Sequence, residues 1–183
     1  MKLVILDRDG VINHDSRHYI KSPREWHPIP GSLDAMARLS QNGFRVVVAS
    51  NQSGIGRGLF GYGDLFAIHD KLARMVGELG GRLDGMFFCP HTEEDACACR
   101  KPGIGLLEDI RRRFQTDLVG VPMVGDGLRD LQAARSAGAV PILVRTGNGA
   151  ATEREAHPAL AGVVVHDDLA QAVGAMIKES RKP

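Results

Sequence analysis

The fold is decided near the start of the chain by the stretch Leu3-Val4-Ile5-Leu6-Asp7-Arg8-Asp9-Gly10. Four consecutive apolar residues are typical of a strand buried on both faces, as in a parallel sheet covered by helices. Alternate residues of an extended chain point the same way, so Asp7 and Asp9 share one side at the carboxyl end of the strand. Open α/β sheets bind their ligands at that end, and the stretch therefore predicts a site there.

The carboxylates of Asp7 and Asp9 repel each other in a crevice, so they need a cation nearby or a proton on one of them. Such a pair can supply a magnesium ligand, a nucleophile and a proton carrier. The competing interpretation is a strand end followed by a polar turn, because an Asp-x-Asp pair alone is common. The residues that follow in the chain favour the functional interpretation.

Size and composition are those of an ordinary globular chain of 183 residues, 43% hydrophobic and 25% charged, with a formal net charge of +1. The length predicts a single domain over residues 1–183. The near-zero charge gives no field that would recruit nucleic acid or a membrane, and no apolar run is long enough to span a bilayer. Acidic residues follow the first apolar run at once, unlike in a signal peptide, so we expect a cytoplasmic protein, and a monomer.

Segments typical of strands and helices alternate along the chain. Apolar strands are predicted at 44–49, 85–88, 121–124, 141–144 and 163–165. Amphipathic helices lie between them, including one over 32–42 with Ser32 as its N-cap and one over 65–79 with Asp64 as its N-cap. This alternation predicts a doubly wound parallel sheet.

Polar residues stand directly after several of these strands. Asp7 and Asp9 follow the first strand, Ser50 follows the second, and Asp126 follows a later one. The carboxyl ends of parallel strands gather at one edge of the sheet. A hydroxyl and three carboxylates at that edge suit a hard divalent cation and a phosphate.

Two further features complete the predicted phosphate site. The backbone N–H groups of residues 51–54 are predicted to form an anion nest. Lys101 would add a positive point charge. Taken one by one, Ser50 is explained as a turn residue, Asp126 as a helix cap and Lys101 as a surface charge, but together at consecutive strand ends these explanations become improbable.

The three cysteines lie in one short loop, residues 89–99, and predict a metal site. Three thiolates and an imidazole make a closed tetrahedral set, the pattern of structural zinc. The ligand set consists of Cys89, His91, Cys97 and Cys99. The simpler interpretation is three buried cysteines and a surface histidine, but the acidic loop is a poor place to bury free thiols. The loop leads directly into Arg100 and Lys101, so we expect the zinc to fix their placement.

These ordered motifs resemble the haloacid dehalogenase superfamily of phosphotransferases over nearly the whole chain. The matching segments are Asp7-Arg8-Asp9-Gly10, Ser50-Asn51-Gln52-Ser53-Gly54, Arg100-Lys101-Pro102, and Gly125-Asp126 with Asp130. The resemblance implies a Rossmann-like core and a magnesium-dependent phosphatase.

The resemblance also implies a role for each strand-end residue. Asp7 would attack phosphorus to give an aspartyl-phosphate, and Asp9 would protonate the leaving oxygen and then deprotonate water. Magnesium would be held by the Asp7 carboxylate, the Asp9 carbonyl and Asp126. Ser50 and Lys101 would hold the transferring phosphoryl group. A cation would keep Asp7 ionised, whereas neighbouring acids would favour a proton retained on Asp9.

Within the superfamily, the zinc loop and the segment 51–58 resemble the heptose bisphosphate phosphatase family, whose members use this loop in place of a separate cap domain. That resemblance implies a sugar phosphate substrate from bacterial surface polysaccharide synthesis. The substrate contacts it implies, with the nearby arginines as helpers, are Asp15, Ser16, Arg17, His18, Asn51, Gln52, Ser53, Arg57, Arg100 and Gly127. The competing interpretation of Arg17, His18 and Arg57 is a solvated surface charge. Three departures from the family pattern are Ser50 for a threonine, Gly56 for an alanine and Gly127 for a lysine or serine.

Two other functions compete with this one. The histidinol-phosphate phosphatase branch shares the core and the zinc loop, but it typically has an aspartate where this chain has Ser53. A receiver-like phospho-signalling module also has a doubly wound sheet, acids and a lysine. Its phosphorylated aspartate follows the third strand, however, and here the third strand leads into Cys89.

Overall fold

A computed structural model describes residues 2–181 of the chain. The strands are β1 (Lys2–Leu6), β2 (Phe44–Asn51), β3 (Gly85–Cys89), β4 (Pro122–Gly125), β5 (Val140–Val144) and β6 (Val164–His166). The α-helices are α1 (Ser32–Gln41), α2 (Ser53–Gly56), α3 (Tyr62–Glu78), α4 (Gly105–Phe114), α5 (Leu128–Ser136), α6 (Gly149–Thr152) and α7 (Leu169–Glu179). All strands are parallel, in the order β3-β2-β1-β4-β5-β6. The predicted doubly wound parallel sheet is confirmed.

Helices cover both faces of the sheet, and β1 shows why its apolar run is continuous. Val4 and Leu6 pack with the inner faces of α1, α3 and α7. Leu3 and Ile5 pack on the opposite side with α4 and α5. Each of these side chains is at most 3% exposed, and burial of an aliphatic side chain contributes about 1.5–3 kcal/mol.

The chain order reverses between β1 and β4, which makes this pair the topological switch point of the sheet. After β1 the chain continues to β2 on one side of this pair, and after β4 it continues to β5 on the other side. Loops after these two strands therefore separate and leave a crevice, the usual ligand site of an open α/β sheet. Asp7 follows β1 and Asp126 follows β4 at this crevice.

Residues 7–31 cross the end of the sheet without forming a helix or a strand of their own. Trp26 is fully buried in this segment and packs into the main core. The ammonium of Lys71, on α3, donates to the carbonyls of Pro23 (2.7 Å) and Trp26 (2.8 Å) and lies 5.3 Å from the indole ring. These contacts fix the segment over the carboxyl ends of the strands.

Two helix starts differ from the predicted ones. Gly31, with φ 81°, is the N-cap of α1, and the hydroxyl of Ser32 instead donates to the Ile12 carbonyl at 2.6 Å. Helix α3 begins at Tyr62, so Asp64 lies inside its first turn and accepts from the Gly61 N–H at 3.0 Å. Ser32 thus bonds to a residue away from its helix, whereas Asp64 caps α3 from inside the first turn, by accepting from the N-cap residue. Across residues 2–181, no helix combines the length and apolar character that crossing a bilayer would need.

Candidate active site

The crevice at the switch point opens into a cavity of about 520 Å³. The N–H of Asp7 donates to the Val124 carbonyl at 2.9 Å, so the chain leaving β1 stays level with the end of β4. The predicted strand-end residues in the cavity wall are Asp7, Asp9, Ser50, Lys101 and Asp126. The structure thus brings together residues that are up to 119 positions apart in the chain.

Lys101 is the central cation of the inner end of the cavity. Its side chain is 2% exposed, and its ammonium contacts Asp130 Oδ1 (2.6 Å), Asp7 Oδ1 (3.0 Å) and the Ala49 carbonyl (2.7 Å). Burial disfavours the charged form, but Asp130 and Asp7 outweigh it and raise the pKa of Lys101 above its usual value. A permanent positive charge therefore lies beside the predicted nucleophile.

Asn51 fixes the backbone of Lys101. Its amide Nδ2 donates to the Lys101 carbonyl and its Oδ1 accepts from the Lys101 N–H, each at 3.0 Å. Both polar ends of this side chain are thus used by the protein. Asn51 lines the cavity as predicted, and in this structure it positions Lys101.

The carboxylates of Asp7, Asp126 and Asp130 lie with their oxygens within 4.8 Å of one another. Burial raises the pKa of Asp7 well above its ordinary value, and Asp130 adds to the effect while Lys101 opposes it. Burial also raises the pKa of Asp126 to about 7, although the N–H of Asn148 at 2.7 Å acts in the opposite direction. When ionised, the three carboxylates place three negative charges beside the single positive charge of Lys101.

A divalent cation fits this excess of charge. Lys101 lies closest to Asp130 (2.6 Å) and also contacts Asp7 Oδ1 (3.0 Å), while Asp126 has no contact with it, so the Asp7 and Asp126 carboxylates are the candidate ligands. The Asp9 carbonyl accepts no hydrogen bond from residues 2–181 and is available as a third oxygen ligand. Hard cations such as Mg²⁺ prefer oxygen ligands of these kinds.

Two glycines allow Asp126 to enter this cluster. A Cβ atom at Gly10 or Gly147 would overlap the Asp126 carboxylate. Both glycines also have positive φ, 80° and 58°, a conformation that other residues rarely adopt. The backbone turns at Gly10 and Gly147 thus pack directly against the Asp126 carboxylate.

Asp9 is held by donors rather than by other acids. The guanidinium of Arg8 donates to both of its oxygens (Nη2 at 2.9 and 3.0 Å, Nε at 3.1 Å). Asn13 donates to Oδ1 and Gln52 to Oδ2, each at 2.8 Å. The expectation that neighbouring acids surround Asp9 therefore does not match its contacts, because the chain turns Arg8, only 1% exposed, inward beside it.

The turn after β2 differs from the predicted anion nest. The N–H of Gln52 donates to the Cys89 carbonyl at 2.7 Å, so it does not face the cavity as a free donor. The side chain of Gln52 donates to the Ser50 hydroxyl at 2.7 Å and to Asp9. The N–H of Gln52, which the sequence predicted as a phosphate donor, is therefore used to pair with the end of β3.

The predicted zinc ligands converge in the loop after β3. The sulfur atoms of Cys89, Cys97 and Cys99 lie 3.1–3.5 Å apart, and His91 Nδ1 lies 3.2 Å from the Cys99 sulfur. Ligands about 2.3 Å from a zinc ion in a tetrahedron lie about 3.7 Å apart, so this cluster is close to the required size.

The thiols of this cluster differ in acidity. Burial and the hydrogen bond with Cys99 raise the pKa of Cys89 to about 12. For Cys97, burial acts upward, but the Arg100 N–H and the neighbouring thiols outweigh it and lower the pKa to about 7. Cys97 is therefore the thiol that most readily supplies a thiolate, the form that binds metal.

The outer end of the cavity is rich in arginine. Arg100, 12% exposed, donates to the carbonyl of His91 (3.4 Å) and to Glu93 Oε1 (3.1 Å), both in the zinc loop. Arg129, in the first turn of α5, lines the same cavity and donates to the same Glu93 oxygen at 2.5 Å. The cavity thus has an acidic inner end with one lysine and a basic outer end.

Eight of the ten predicted substrate contacts line this cavity, and they are Asp15, Ser16, Arg17, Asn51, Gln52, Ser53, Arg100 and Gly127. His18 and Arg57 are exposed and lie outside its wall. Arg57 ends the short helix α2, where its side chain points to solvent.

Six further residues line the cavity although the sequence did not predict a role for them in the site. They are Arg8, Tyr19, Ile20, Leu128, Arg129 and Asn148. Asn148 donates to Asp126 Oδ2 through its N–H (2.7 Å) and its side chain (3.3 Å). Asn148 lies between two glycines in the loop after β5, at the same edge of the sheet. That position is the sequence feature that could have predicted its place in the site.

Comparison with protein families gives two matches. A family described as HAD-hydrolase-like matches residues 98–172. A family described as polynucleotide kinase 3 phosphatase matches residues 2–128, more than half of the chain. Together the two matches span all the strand-end residues of the site. The sheet topology and this site define a phosphatase of the haloacid dehalogenase class.

Individual relatives give a narrower family. A D-glycero-β-D-manno-heptose-1,7-bisphosphate 7-phosphatase of Bordetella bronchiseptica is 53% identical over 98% of this chain and 100% of its own length. A Pseudomonas putida protein of the same name is 49% identical over 93% of this chain and 96% of its own. The crystal structure of D,D-heptose 1,7-bisphosphate phosphatase from B. bronchiseptica, complexed with magnesium and phosphate, matches with a TM-score of 0.94 over 98% of this chain and 99% of that one.

Within the haloacid dehalogenase class, the chain belongs to the D-glycero-β-D-manno-heptose-1,7-bisphosphate 7-phosphatase family. The named relatives are enzymes that hydrolyse a phosphate ester. The receiver-like signalling module is therefore wrong as an alternative, and the resemblance drawn from the motifs is confirmed.

Proposed function

We propose that this protein hydrolyses the 7-phosphate of D-glycero-β-D-manno-heptose 1,7-bisphosphate, releasing inorganic phosphate and the heptose 1-phosphate. The observation that carries the proposal is the division of one cavity into an acid and lysine cluster for the reaction and an arginine-rich end for a second anion. Relatives 53% and 49% identical over nearly the full chain are named for this activity.

Asp7 is the nucleophile in this proposal. Its Oδ1 accepts from the Lys101 ammonium (3.0 Å) and from the Arg8 N–H (2.7 Å). Its Oδ2 accepts no hydrogen bond from residues 2–181, which leaves this oxygen free to attack phosphorus. Lys101 and Ser50 hold the phosphoryl group, and their positions are fixed by Asn51 and Gln52.

Asp9 carries the proton in both halves of the reaction. As the Asp7 oxygen bonds to phosphorus, the bond from phosphorus to the sugar oxygen breaks, and the leaving oxygen takes the proton of Asp9. Asp9 then removes a proton from water, whose oxygen attacks the aspartyl-phosphate. Inorganic phosphate leaves, and the Asp7 carboxylate is restored with the proton back on Asp9.

Asp7, the Asp9 carbonyl and Asp126 would hold Mg²⁺, which offsets the negative charge of the phosphoryl group when bound. The chain's own contribution is to keep these oxygens at one sheet edge. The oxygen ligands of the three grouped carboxylates support the choice of this ion.

We also propose that Zn²⁺ is bound by Cys89, His91, Cys97 and Cys99 in a structural site. Four protein ligands leave no coordination position for water, so this metal would have no catalytic role. The ligand spacing and the acidity of Cys97 support the assignment. Arg100 hydrogen-bonds to the loop that the zinc would hold, which links the metal to the outer end of the cavity.

The wider setting follows from the substrate. Heptose bisphosphate is a precursor of bacterial surface polysaccharide, and we propose that the protein serves that supply in the cytoplasm, as a monomer and within a single domain. Neither nucleic acid nor a membrane takes part in the reaction proposed here.

The test of this function is a comparison of substrates with purified protein and added Mg²⁺. We expect kcat/KM to be far higher for the heptose 1,7-bisphosphate than for heptose monophosphates or histidinol phosphate. Phosphorus NMR of the product should show the 1-phosphate retained. Faster hydrolysis of histidinol phosphate, or loss of the 1-phosphate first, would contradict the assignment.

Arg100→Ala sharpens the same test. We expect the ratio of kcat/KM between the bisphosphate and a small monophosphate to fall about tenfold or more, because a bidentate guanidinium contact with phosphate is lost. An equal loss for all substrates would mean that Arg100 does not select the bisphosphate.

A further inference from the structure

Arg129 is a cation at the mouth of the cavity that no step of the proposed reaction uses. It lies three residues after Asp126, in the first turn of α5, and lines the cavity together with Asp7 and Arg100. Its side chain is 53% exposed, so its guanidinium remains accessible to a ligand. A positive side chain at the start of a helix opposes the helix dipole, so helix stability does not explain its position.

Arg129 and Arg100 are brought together by one acceptor. Both guanidinium groups donate to the same oxygen, Oε1 of Glu93, at 2.5 and 3.1 Å. The two arginines come from different elements, one from the end of the zinc loop and the other from α5. Their shared acceptor shows that both guanidinium groups reach the same point beside the outer end of the cavity.

The charges of this group leave room for a phosphate. Two guanidinium groups share one carboxylate, so one positive charge is unbalanced beside the cavity. Glu93 is itself 56% exposed and is free to move to solvent. A phosphate carries more negative charge than a carboxylate and offers three oxygens to the two forks, so it is the stronger partner for the pair.

We infer that Arg129 and Arg100 together form the binding site for the second phosphate of a bisphosphorylated substrate, and that Glu93 is the counter-ion that holds both arginines in place until that phosphate displaces it. This inference rests on the proposed function and specifies its outer subsite. It also accounts for Gly127, because Arg129, a cation two residues further along the chain, takes over the contact that a glycine side chain cannot make.

The competing explanation is that Arg129 only braces the zinc loop against α5 through Glu93. The two explanations predict opposite results for Glu93→Gln. If the pair is a brace, Arg129→Ala and Glu93→Gln both weaken bisphosphate binding. If Arg129 binds phosphate, Arg129→Ala weakens binding, whereas Glu93→Gln strengthens it because a competing negative charge is removed.

The experiment measures bisphosphate binding without turnover, in an Asp7→Asn background, by titration calorimetry with Mg²⁺ present. We expect Arg129→Ala to raise Kd about tenfold to a hundredfold, the range of a lost hydrogen bond between charged groups, and Arg129→Lys to raise it less. Glu93→Gln should lower Kd. Arg112→Ala is the matched control, since Arg112 is an exposed arginine on α4 outside this cavity, and it should leave Kd unchanged.

The inference and the proposed function can fail separately. An unchanged Kd in Arg129→Ala, or a rise in Kd in both Arg129→Ala and Glu93→Gln, would overturn the inference while the phosphatase activity of the wild-type protein stands. A wild-type protein with no preference for the bisphosphate over monophosphates would overturn the proposed function. Absence of bisphosphate binding in the Asp7→Asn protein itself would overturn both.

Discussion

The two ligand clusters of this molecule differ in how the chain builds them. The carboxylate cluster takes Asp7 from the loop after β1, Asp126 from the loop after β4 and Asp130 from the first turn of α5, so its members are more than a hundred residues apart. The sulfur and imidazole cluster takes all its members from residues 89–99. The sheet itself assembles the first cluster, whereas one short loop forms the second, for which we propose a zinc ion.

This difference extends to the two cations that follow the loop. Lys101 contacts Asp7, Asp130 and Ala49 through its ammonium, and Asn51 holds its backbone, so it is anchored to the sheet. Within residues 2–181, the side chain of Arg100 donates hydrogen bonds to the zinc loop alone, at His91 and Glu93. These two adjacent residues thus belong to different structural units, and we propose that one unit performs the reaction and the other selects the substrate.

The largest expected effect comes from the carboxylate cluster. Asp7→Asn removes the nucleophile and a metal ligand, so we expect turnover to fall by about 10⁴-fold or more. Phosphate release measures this, and circular dichroism checks that the fold is intact. Asp34→Asn, an exposed acid on α1, is the control and should retain wild-type turnover. Turnover near the wild-type rate in Asp7→Asn would contradict the mechanism.

A smaller loss is expected at Asp9. Asp9→Asn keeps the backbone carbonyl, so Mg²⁺ binding should change little, while the loss of general acid and base catalysis lowers kcat by about 10²–10⁴-fold. Magnesium titrations of activity and the kcat of the variant measure the two effects separately. A variant with wild-type kcat would show that another group moves the proton.

The carboxylate cluster should also cost stability when no magnesium is bound. The folded protein raises the pKa of Asp126 from 3.8 to about 7, so its neutral form is favoured by folding. The stability it contributes is complete below pH 3.8 and is lost as the pH rises through about 7. Asp126→Asn should therefore raise the free energy of unfolding at pH 8 by about 2–4 kcal/mol, and by less at pH 5.

Urea unfolding without added magnesium, at pH 8 and pH 5, checks this effect of Asp126→Asn. Added Mg²⁺ should stabilise the wild-type protein and leave the variant nearly unchanged. A variant that is less stable than the wild type at both pH values would contradict the account of the cluster as a strained, charge-rich site.

The sequence predicted those features that depend on strand order. The apolar run before Asp7 and the alternation of strands and helices were sufficient to place Asp7, Ser50 and Asp126 at one edge. Parallel strands leave no other arrangement, because all their carboxyl ends meet at that edge. The loop spacing of the cysteines was similarly sufficient, since all four ligands are close along the chain.

The sequence did not predict how side chains pair across the cavity. Arg8 folds back on Asp9, the N–H of Gln52 is taken by the end of β3, and Arg129 reaches Glu93 from another element. These pairings depend on rotamers and on distances between segments up to 37 residues apart in the chain, which no local pattern encodes. Motif resemblance likewise included His18 and Arg57, which lie outside the cavity wall, and it missed Arg129, which lies within it.

The central claim is that the sheet performs the reaction and the zinc loop selects the substrate. The most direct test is the ratio of kcat/KM for the bisphosphate over a small monophosphate in Cys97→Ser, with zinc content measured by elemental analysis and Ala98→Ser, an exposed neighbour, as the control. We predict about one zinc per chain in the wild type and the control. In Cys97→Ser we predict loss of zinc, lower thermal stability and a ratio reduced about tenfold or more. A wild-type protein without zinc, or a zinc-free variant with the wild-type ratio, would contradict the claim.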